Sequence, residues 1–340
     1  MTSRIYPPLP TSVHYRYNVM NKTPLNPGTS HLPVLALEAI AALQVEPGGL
    51  YIDGTLGRTG HTQMILSRLG ESGQLLCLDR DPQAIAYAEQ LIGHDERVTL
   101  VQSDFANLNN VMREHGLVEG TVNGVLLDLG VSSPQLDQPD RGFSFRTDGP
   151  LDMRMDHSNG QTAAMWLASA GAEEIADVLW HYGEERQSRR IARAIVEFRE
   201  QQPIETTSQL ADIIKSAVVR PDPHKHPATR SFQALRIFIN DELQQLLAVL
   251  PIIVRALKVA GRFVVICFHS LEDRIVKRFI RDHARASRAP KNIPLRSHQL
   301  DGVLKAVGKP IKASAEELVR NPRARSAVMR VAERTAVAYV

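Results

Sequence analysis

Cysteine is nearly absent from this sequence: its 340 residues include two, Cys77 and Cys267, each inside an apolar run that reads as a buried strand. Thiols so placed exclude a disulfide framework and a cysteine metal site, and they fit a reducing cytoplasm. No metal is expected. Long apolar runs are missing too. No stretch approaches the eighteen or so uninterrupted apolar residues of a membrane helix, and the first thirty residues lack the apolar core of a signal peptide. Neither a membrane partner nor secretion is expected. Aromatic residues make up 5% of the chain and the net charge is only +3, which names no partner by itself.

What the chain does have is a core. With 43% hydrophobic residues it can form one large domain, or a domain carrying an insertion. Its charge is uneven. Between Arg274 and Arg296 eight Lys or Arg residues face one acid, Asp282, and a second cluster runs through Arg320, Arg323, Arg325, Arg330 and Arg334. Such clusters fit a solvated face and a phosphate-binding surface about equally well. Residues 1–30 hold five prolines and no acid, so they read as a disordered N-terminal arm, with Met20 as an alternative start to Met1.

From His31 the pattern alternates. Ser30 can cap a helix with Pro33 in its first turn, carrying Val34, Leu37, Ile40 and Ala41 and stopping at Pro47-Gly48. "LYID" reads as a buried strand, "HTQMILSRLG" as a helix closed by Gly70, and "QLLCLD" as a second strand. Asp81 and Pro82 then start the helix "PQAIAYAEQLI", and "RVTLVQSD" and "GVLLDLG" supply two more strands. This rhythm predicts an α/β fold with a mostly parallel sheet. It stops near Gln135. A Gly, Pro and Asp-rich loop and helical patterns follow up to Ser231, predicting a helical insertion over 137–231 between two halves of one α/β domain at 31–136 and 232–340. Trp166, Trp180, Met153 and Met155 are expected to pack it. Beyond it come a long helix from about Ser231 to Ala260, the strand "RFVVICF", the helix "SLEDRIVKRFIRDHAR" and an alternating strand "SAVMRVAER", expected as an antiparallel edge.

The chemistry starts at "YIDGTLGRTGHTQ". Gly54, Gly57 and Gly60 lie between a strand and a helix, where missing side chains expose backbone N–H groups to a ligand. A phosphate loop would end in Gly-Lys-Ser or Gly-Lys-Thr, and this turn ends Thr59-Gly60-His61. A dinucleotide site prefers G-x-G-x-x-G, but this spacing is G-x-x-G-x-x-G after Asp53; S-adenosylmethionine is the third candidate. Asp79, Asp104-Phe105 and Asp128 lie at the ends of the next three strands, suited to a ribose, an adenine and the reacting group. Taken alone, Asp79 serves NAD as well as the methyl donor. No cysteine nucleophile lies near Asp128, which disfavours methylation of a pyrimidine carbon, whereas an exocyclic amine needs only orienting acceptors. Ser132, Ser133, Pro134 and Gln135 can supply them.

Eight segments, among them "YIDGTLGRTGHT", "LLDLGVSSPQLDQPDRGFSFRTDGPLDMRMD", "HPATRSFQALRIFINDEL" and "FHSLEDRIVKRF", together resemble the bacterial 16S ribosomal RNA (cytosine-N4)-methyltransferases of the RsmH or MraW type, over about His31 to Thr335. The resemblance implies a class I S-adenosylmethionine-dependent methyltransferase fold, Rossmann-like, with an inserted helical domain for substrate recognition. It implies methylation of the N4 amine of one cytidine in the decoding region of 16S rRNA in the small ribosomal subunit. Carried over by motif position, donor contacts fall on Thr59, Gly60, His61, Asp79, Phe105, Asp128 and Gln135. Asp128 and Ser132, Ser133 and Pro134 would position the acceptor. Thr59 stands where the family usually has glycine, so a positive φ there would strain its β-branch. Arg186, Arg190 and Arg193, with Arg189, fall on one helical side, and with Arg230, Arg236 and His269 they are the candidate RNA contacts. The expected partners are 16S rRNA and a second copy of the chain in a homodimer. A donor-binding assembly factor with little turnover remains an alternative, as does an NAD-dependent oxidoreductase.

Overall fold

Five apolar runs bounded by Gly, Pro and Asp become the parallel core of one sheet in the computed structural model, which describes residues 33–284 and 302–339. These strands are β1 (Leu50–Asp53), β2 (Gln74–Asp79), β3 (Val98–Gln102), β4 (Val122–Asp128) and β5 (Leu257–Cys267). With β6 (Leu304–Ala306), β7 (Ile311–Lys312) and β8 (Val328–Arg334), the strand order is β3-β2-β1-β4-β5-β8-β6, with β7 also pairing with β8. The expected N-terminal arm, the alternative start at Met20 and the basic residues Arg285, Arg288, Lys291 and Arg296 lie outside the described residues.

Chain order reverses between β1 and β4, which pair in parallel at Ile52 and Val125. A ligand crevice forms at such a switch point, beyond the carboxyl ends of the strands. Side chains alternate across the sheet, so both faces are covered. Tyr51, Leu75, Cys77 and Leu126 pack beneath α1 (Ala36–Leu43), α2 (Gly60–Leu66) and α3 (Pro82–Ile92). Ile52, Leu76, Val125 and Leu127 pack with α4 (Leu108–Glu114), α11 (Glu242–Ala256) and α12 (Ser270–His283). After β4 come the short helix α5 (Ser133–Asp137) and then α6 (Ala163–Ser169), α7 (Ala172–Gly183), α8 (Ser188–Arg199), α9 (Thr207–Ala217) and α10 (Thr229–Ile239). α6 to α10 share a third apolar core, from Phe143 to Leu235.

Several expectations change. The helix starting at Ser231 does not run to Ala260: it bends by 54° between α10 and α11, where Asp241 takes φ +51°, and Leu257 to Ala260 belong to β5. β8 is antiparallel to β5 as expected, but β6 and β7 pair along its other side, so the reversed strand is not the outermost. α1 starts at Ala36 after Leu35 at φ +52°, not in a turn containing Pro33; Ser30 lies outside the described residues. α2 ends at Leu66, and the Gly70 N–H donates to the Pro47 carbonyl in the following loop. Trp166, Met153 and Met155 are buried, whereas Trp180 is 53% exposed and packs little. No single helix among the described residues is long and apolar enough to cross a membrane.

Candidate active site

Each glycine of the first turn has its own cause. A Cβ on Gly54 would lie 2.5 Å from the Leu127 side chain, so glycine lets β1 and β4 approach closely. On Gly60 it would meet Pro33 at 2.9 Å. A Cβ on Gly57 would meet only the Thr55 carbonyl, at 3.9 Å, but the residue sits at φ +51°, and its N–H donates to Asp79 Oδ2 at 2.8 Å. Thr59 is fully buried with φ +63°, a conformation strained for a β-branched residue. Its N–H donates to the Leu56 carbonyl and its hydroxyl accepts from Gln63 Nε2. The Thr59 backbone amide therefore already closes the turn.

Three carboxylates gather at the ends of β1, β2 and β4. Asp53 accepts from the Thr55 N–H at 3.1 Å and the Thr62 hydroxyl at 2.7 Å, and burial pushes its pKa up to about 6. Asp79 accepts from the Gly57 N–H and, at 2.9 Å, from the Asp81 N–H. Burial, with the nearby Asp81 and Asp53, raises it to about 6 as well. Asp128 is pushed well above the usual carboxylate range by burial and by the charges of Asp53 and Glu272. Its Oδ1 has no hydrogen-bond partner, and its Oδ2 lies 3.6 Å from His61 Nδ1. His61 is buried and neutral, lowered to about 4 by burial. Nε2 lies 3.1 Å from the Val34 carbonyl, which makes Nε2 the protonated nitrogen and turns the Nδ1 lone pair toward Asp128. At 3.6 Å the unprotonated Nδ1 makes no hydrogen bond to the Asp128 carboxylate.

This set fits a cation. S-adenosylmethionine carries a sulfonium and an ammonium, and a cluster of buried acids with one unpartnered oxygen favours such charges. NAD brings two phosphates, which the same acids repel. Asp79 keeps lone pairs free for ribose hydroxyls, since each carboxylate oxygen accepts twice. Phe105 opens the turn after β3, half-buried, with its Cβ 3.6 Å from the Cβ position of Gly54. Adenine can pack beside it.

The loop after β4 is more rigid than its sequence implies. The Asp128 N–H donates to the Thr55 hydroxyl at 2.6 Å, and the Ser132 N–H to Gln135 Oε1 at 2.9 Å. Gln135 is buried and its Nε2 donates to Asp81 Oδ2 at 2.8 Å, so both ends of its amide are engaged by the protein. Ser132, Ser133 and Pro134 are half-buried at the start of α5. Sequence reasoning missed Arg141. Its buried guanidinium donates to the same Asp81 oxygen at 2.8 Å and to the Met155 carbonyl at 2.9 Å, joining the glycine-rich loop to the end of β2.

The candidate RNA contacts divide. Arg189, Arg190 and Arg193 are exposed along the outer side of α8, and Arg186 is exposed in the turn before it, while Ile191, Ala192 and Ile195 are buried beneath. Arg230 is half-buried and its charge reaches Glu184. Arg236 is clamped to Glu242 by two hydrogen bonds of 2.8 Å, leaving it little to offer a phosphate. His269 caps α12, and its Nε2 lies 3.1 Å from Glu272 Oε1. Burial works against ionisation of Glu272, but His269, Arg236 and the Phe268 N–H hold it below its usual value. Glu242, His269 and Glu272 bring ligand-type atoms within 4.8 Å of one another, but the Arg236 guanidinium already supplies the cation.

The model of the MraW methylase family matches residues 28–335. The chain belongs to that family. A ribosomal RNA small subunit methyltransferase H from Thioalkalivibrio sulfidiphilus is 55% identical over 311 residues, 91% of this chain and 99% of the relative. The protein of that name from Thiobacillus denitrificans is 54% identical over 310 residues, 91% of this chain and 98% of the relative. The one from Xanthomonas euvesicatoria is 55% identical over 311 residues, 92% and 90% of the two chains. Arg141, Asp81 and Gln135 all fall within the span matched by the family.

Proposed function

We propose that this cytoplasmic protein transfers a methyl group from S-adenosylmethionine to the N4 amine of one cytidine in the decoding region of 16S rRNA, within the small ribosomal subunit. The observation that carries the reading is the cluster of Asp53, Asp79 and Asp128 at the switch point, with Asp128 Oδ1 unpartnered. The relatives' names support small-subunit rRNA as the acceptor; the choice of the cytidine N4 amine rests on the motif resemblance and on the absence of a cysteine near Asp128. When bound, the donor supplies an electrophilic methyl group whose transfer to an amine nitrogen leaves a neutral thioether and releases one proton. Asp79 holds the ribose and Phe105 flanks adenine. Asp128, anchored by the bond from its own N–H to the Thr55 hydroxyl, presents Oδ1 to the cytosine amine and orients its lone pair. Residues 143–239, with the arginines of α8 outermost, form the substrate-recognition layer.

The deciding assay is transfer of labelled methyl to small subunits lacking the modification, followed by digestion to nucleosides. N4-methylated cytidine is expected, with or without a ribose methyl. Label in another nucleoside overturns the acceptor; donor binding without any label turns the reading to an assembly factor. Asp128→Asn should lose turnover while donor affinity by calorimetry stays within a few fold. A matching loss of donor affinity would place Asp128 on the donor instead.

A further inference from the structure

Away from the strand ends, the outer side of the sheet holds a groove of about 650 Å³. One wall is the second half of α12, with Lys277, Ile280 and Arg281; the other is the turn between β6 and β7, with Val307 and Lys309; Arg330 and Val331 of β8 close it. Four cations line it against one acid, Asp282. Arg330 is held by Asp273 through bonds of 2.6 and 3.0 Å, and Arg281 by Asp282 at 2.8 Å. Lys277 and Lys309, on opposite walls, are exposed and form no ion pair among the described residues.

We propose that this groove binds the phosphate backbone of the substrate RNA outside the target nucleotide, with Lys277 and Lys309 as its two phosphate contacts. The inference rests on RNA being the substrate. Among the described residues the lining contains no aromatic ring and no side-chain amide or hydroxyl, so these residues offer nothing to stack on a base or read its edge. What it offers is charge. The neighbouring segment 285–301 is a poor occupant, because it carries Arg285, Arg288, Lys291 and Arg296 against a single acid, Asp301. The groove is also within reach of the reacting centre. α12 starts directly after β5, so Lys277 and Arg281 lie roughly 10–16 Å along it at 1.5 Å per residue. β8 stands two strands from β4, about 10 Å across the sheet. The groove can therefore grip the strand that presents the target base, and set register without reading sequence.

The test compares Lys277→Gln/Lys309→Gln with Lys277→Arg/Lys309→Arg in the full chain, using small subunits lacking the modification. Losing two phosphate contacts should flatten the slope of log affinity against log salt by about 1.4–1.8 and weaken binding at least about tenfold near 0.1 M salt. KM for subunits rises in step, kcat at saturation stays within about twofold, and donor affinity by calorimetry is unchanged. The arginine pair should restore binding. An unchanged slope in the glutamine pair overturns the groove, as does equal loss in both pairs, which would point to shape and not charge. If the unaltered chain produces no methylated nucleoside yet the glutamine pair still flattens the slope, the reaction assigned above fails and the groove stands.

Discussion

Arg141→Leu tests whether the glycine-rich loop and the donor site are one mechanical unit. The guanidinium is buried with its partner Asp81, donating to that carboxylate and to the Gln83 side chain on one side and to the Arg154 and Met155 carbonyls on the other. Removing one partner of a buried ion pair leaves an uncompensated charge and typically costs about 3–5 kcal/mol. Asp81 keeps two other donors, the Gln83 N–H and Gln135 Nε2, which places the expected loss near the lower end of that range. At about 2 °C per kcal/mol for a chain of this size, the melting temperature should fall by roughly 6–10 °C. The Asp81 N–H also fixes Asp79 Oδ1, so donor affinity should fall together with stability. Adding Asp81→Asn removes the stranded charge and should recover part of the loss. Thermal melts of the single and double variants, with donor calorimetry on each, read all three. A drop below about 1 kcal/mol would refute the buried-pair argument; lost donor affinity at full stability would make Arg141 a ligand contact.

Acidification should move the protein and its ligand in opposite directions. Asp53 and Asp79 titrate near 6 in the folded chain, above the usual carboxylate value. Between pH 7.5 and 5 the folded state then takes up protons the unfolded chain does not, and the donor-free protein gains about 1.4 kcal/mol per group. A cationic donor needs these groups ionised, so its affinity should fall about tenfold per carboxylate over that interval; a flat affinity profile would contradict the charge argument. Thr59→Gly relieves a β-branched side chain at φ +63° and should stabilise by about 0.5–1 kcal/mol after the entropy of glycine is subtracted, read from denaturant melts. His269→Ala removes the cap of α12 and the partner of buried Glu272, so stability should fall by about 1–3 kcal/mol with the salt dependence of RNA binding unchanged.

Strands β1 to β4, and β5 from Arg262 onward, were legible as apolar runs, and α/β alternation made them parallel; their spatial order exists only in the folded sheet. β6 and β7 are three and two residues long, too short for any period to show. The break at Asn240-Asp241 was hidden for a different reason. Apolar spacing continues through it, and the chain turns there because Asn240 bonds the Met153 carbonyl and the Met155 N–H, 87 and 85 residues away. The same limit governs the site. Acids at strand ends announce themselves locally, whereas the engagement of Arg236 by Glu242 and of Gln135 by Asp81 exists only after folding. For His269 a signal was available: a polar residue followed three positions later by Glu272 reads as a helix start. Arg141 had none beyond its place in a conspicuous loop.

The energetics of the acid cluster bear on turnover as well as recognition. Asp53, Asp79 and Asp128 are held where burial and mutual repulsion disfavour their ionised forms, a standing strain in the donor-free protein. A ligand with two positive charges relieves it; the thioether left after methyl transfer has lost the sulfonium charge and relieves less. The cluster should therefore hold donor more tightly than product, and the difference should shrink on acidification as the acids take up protons. Charge at the switch point thus selects the ligand on entry and loosens it after reaction. Because the strain requires ionised acids, Asp128→Asn should narrow the gap between donor and product affinities if Oδ1 lies close enough to sense the sulfonium. An unchanged gap would assign that discrimination to Asp53 and Asp79.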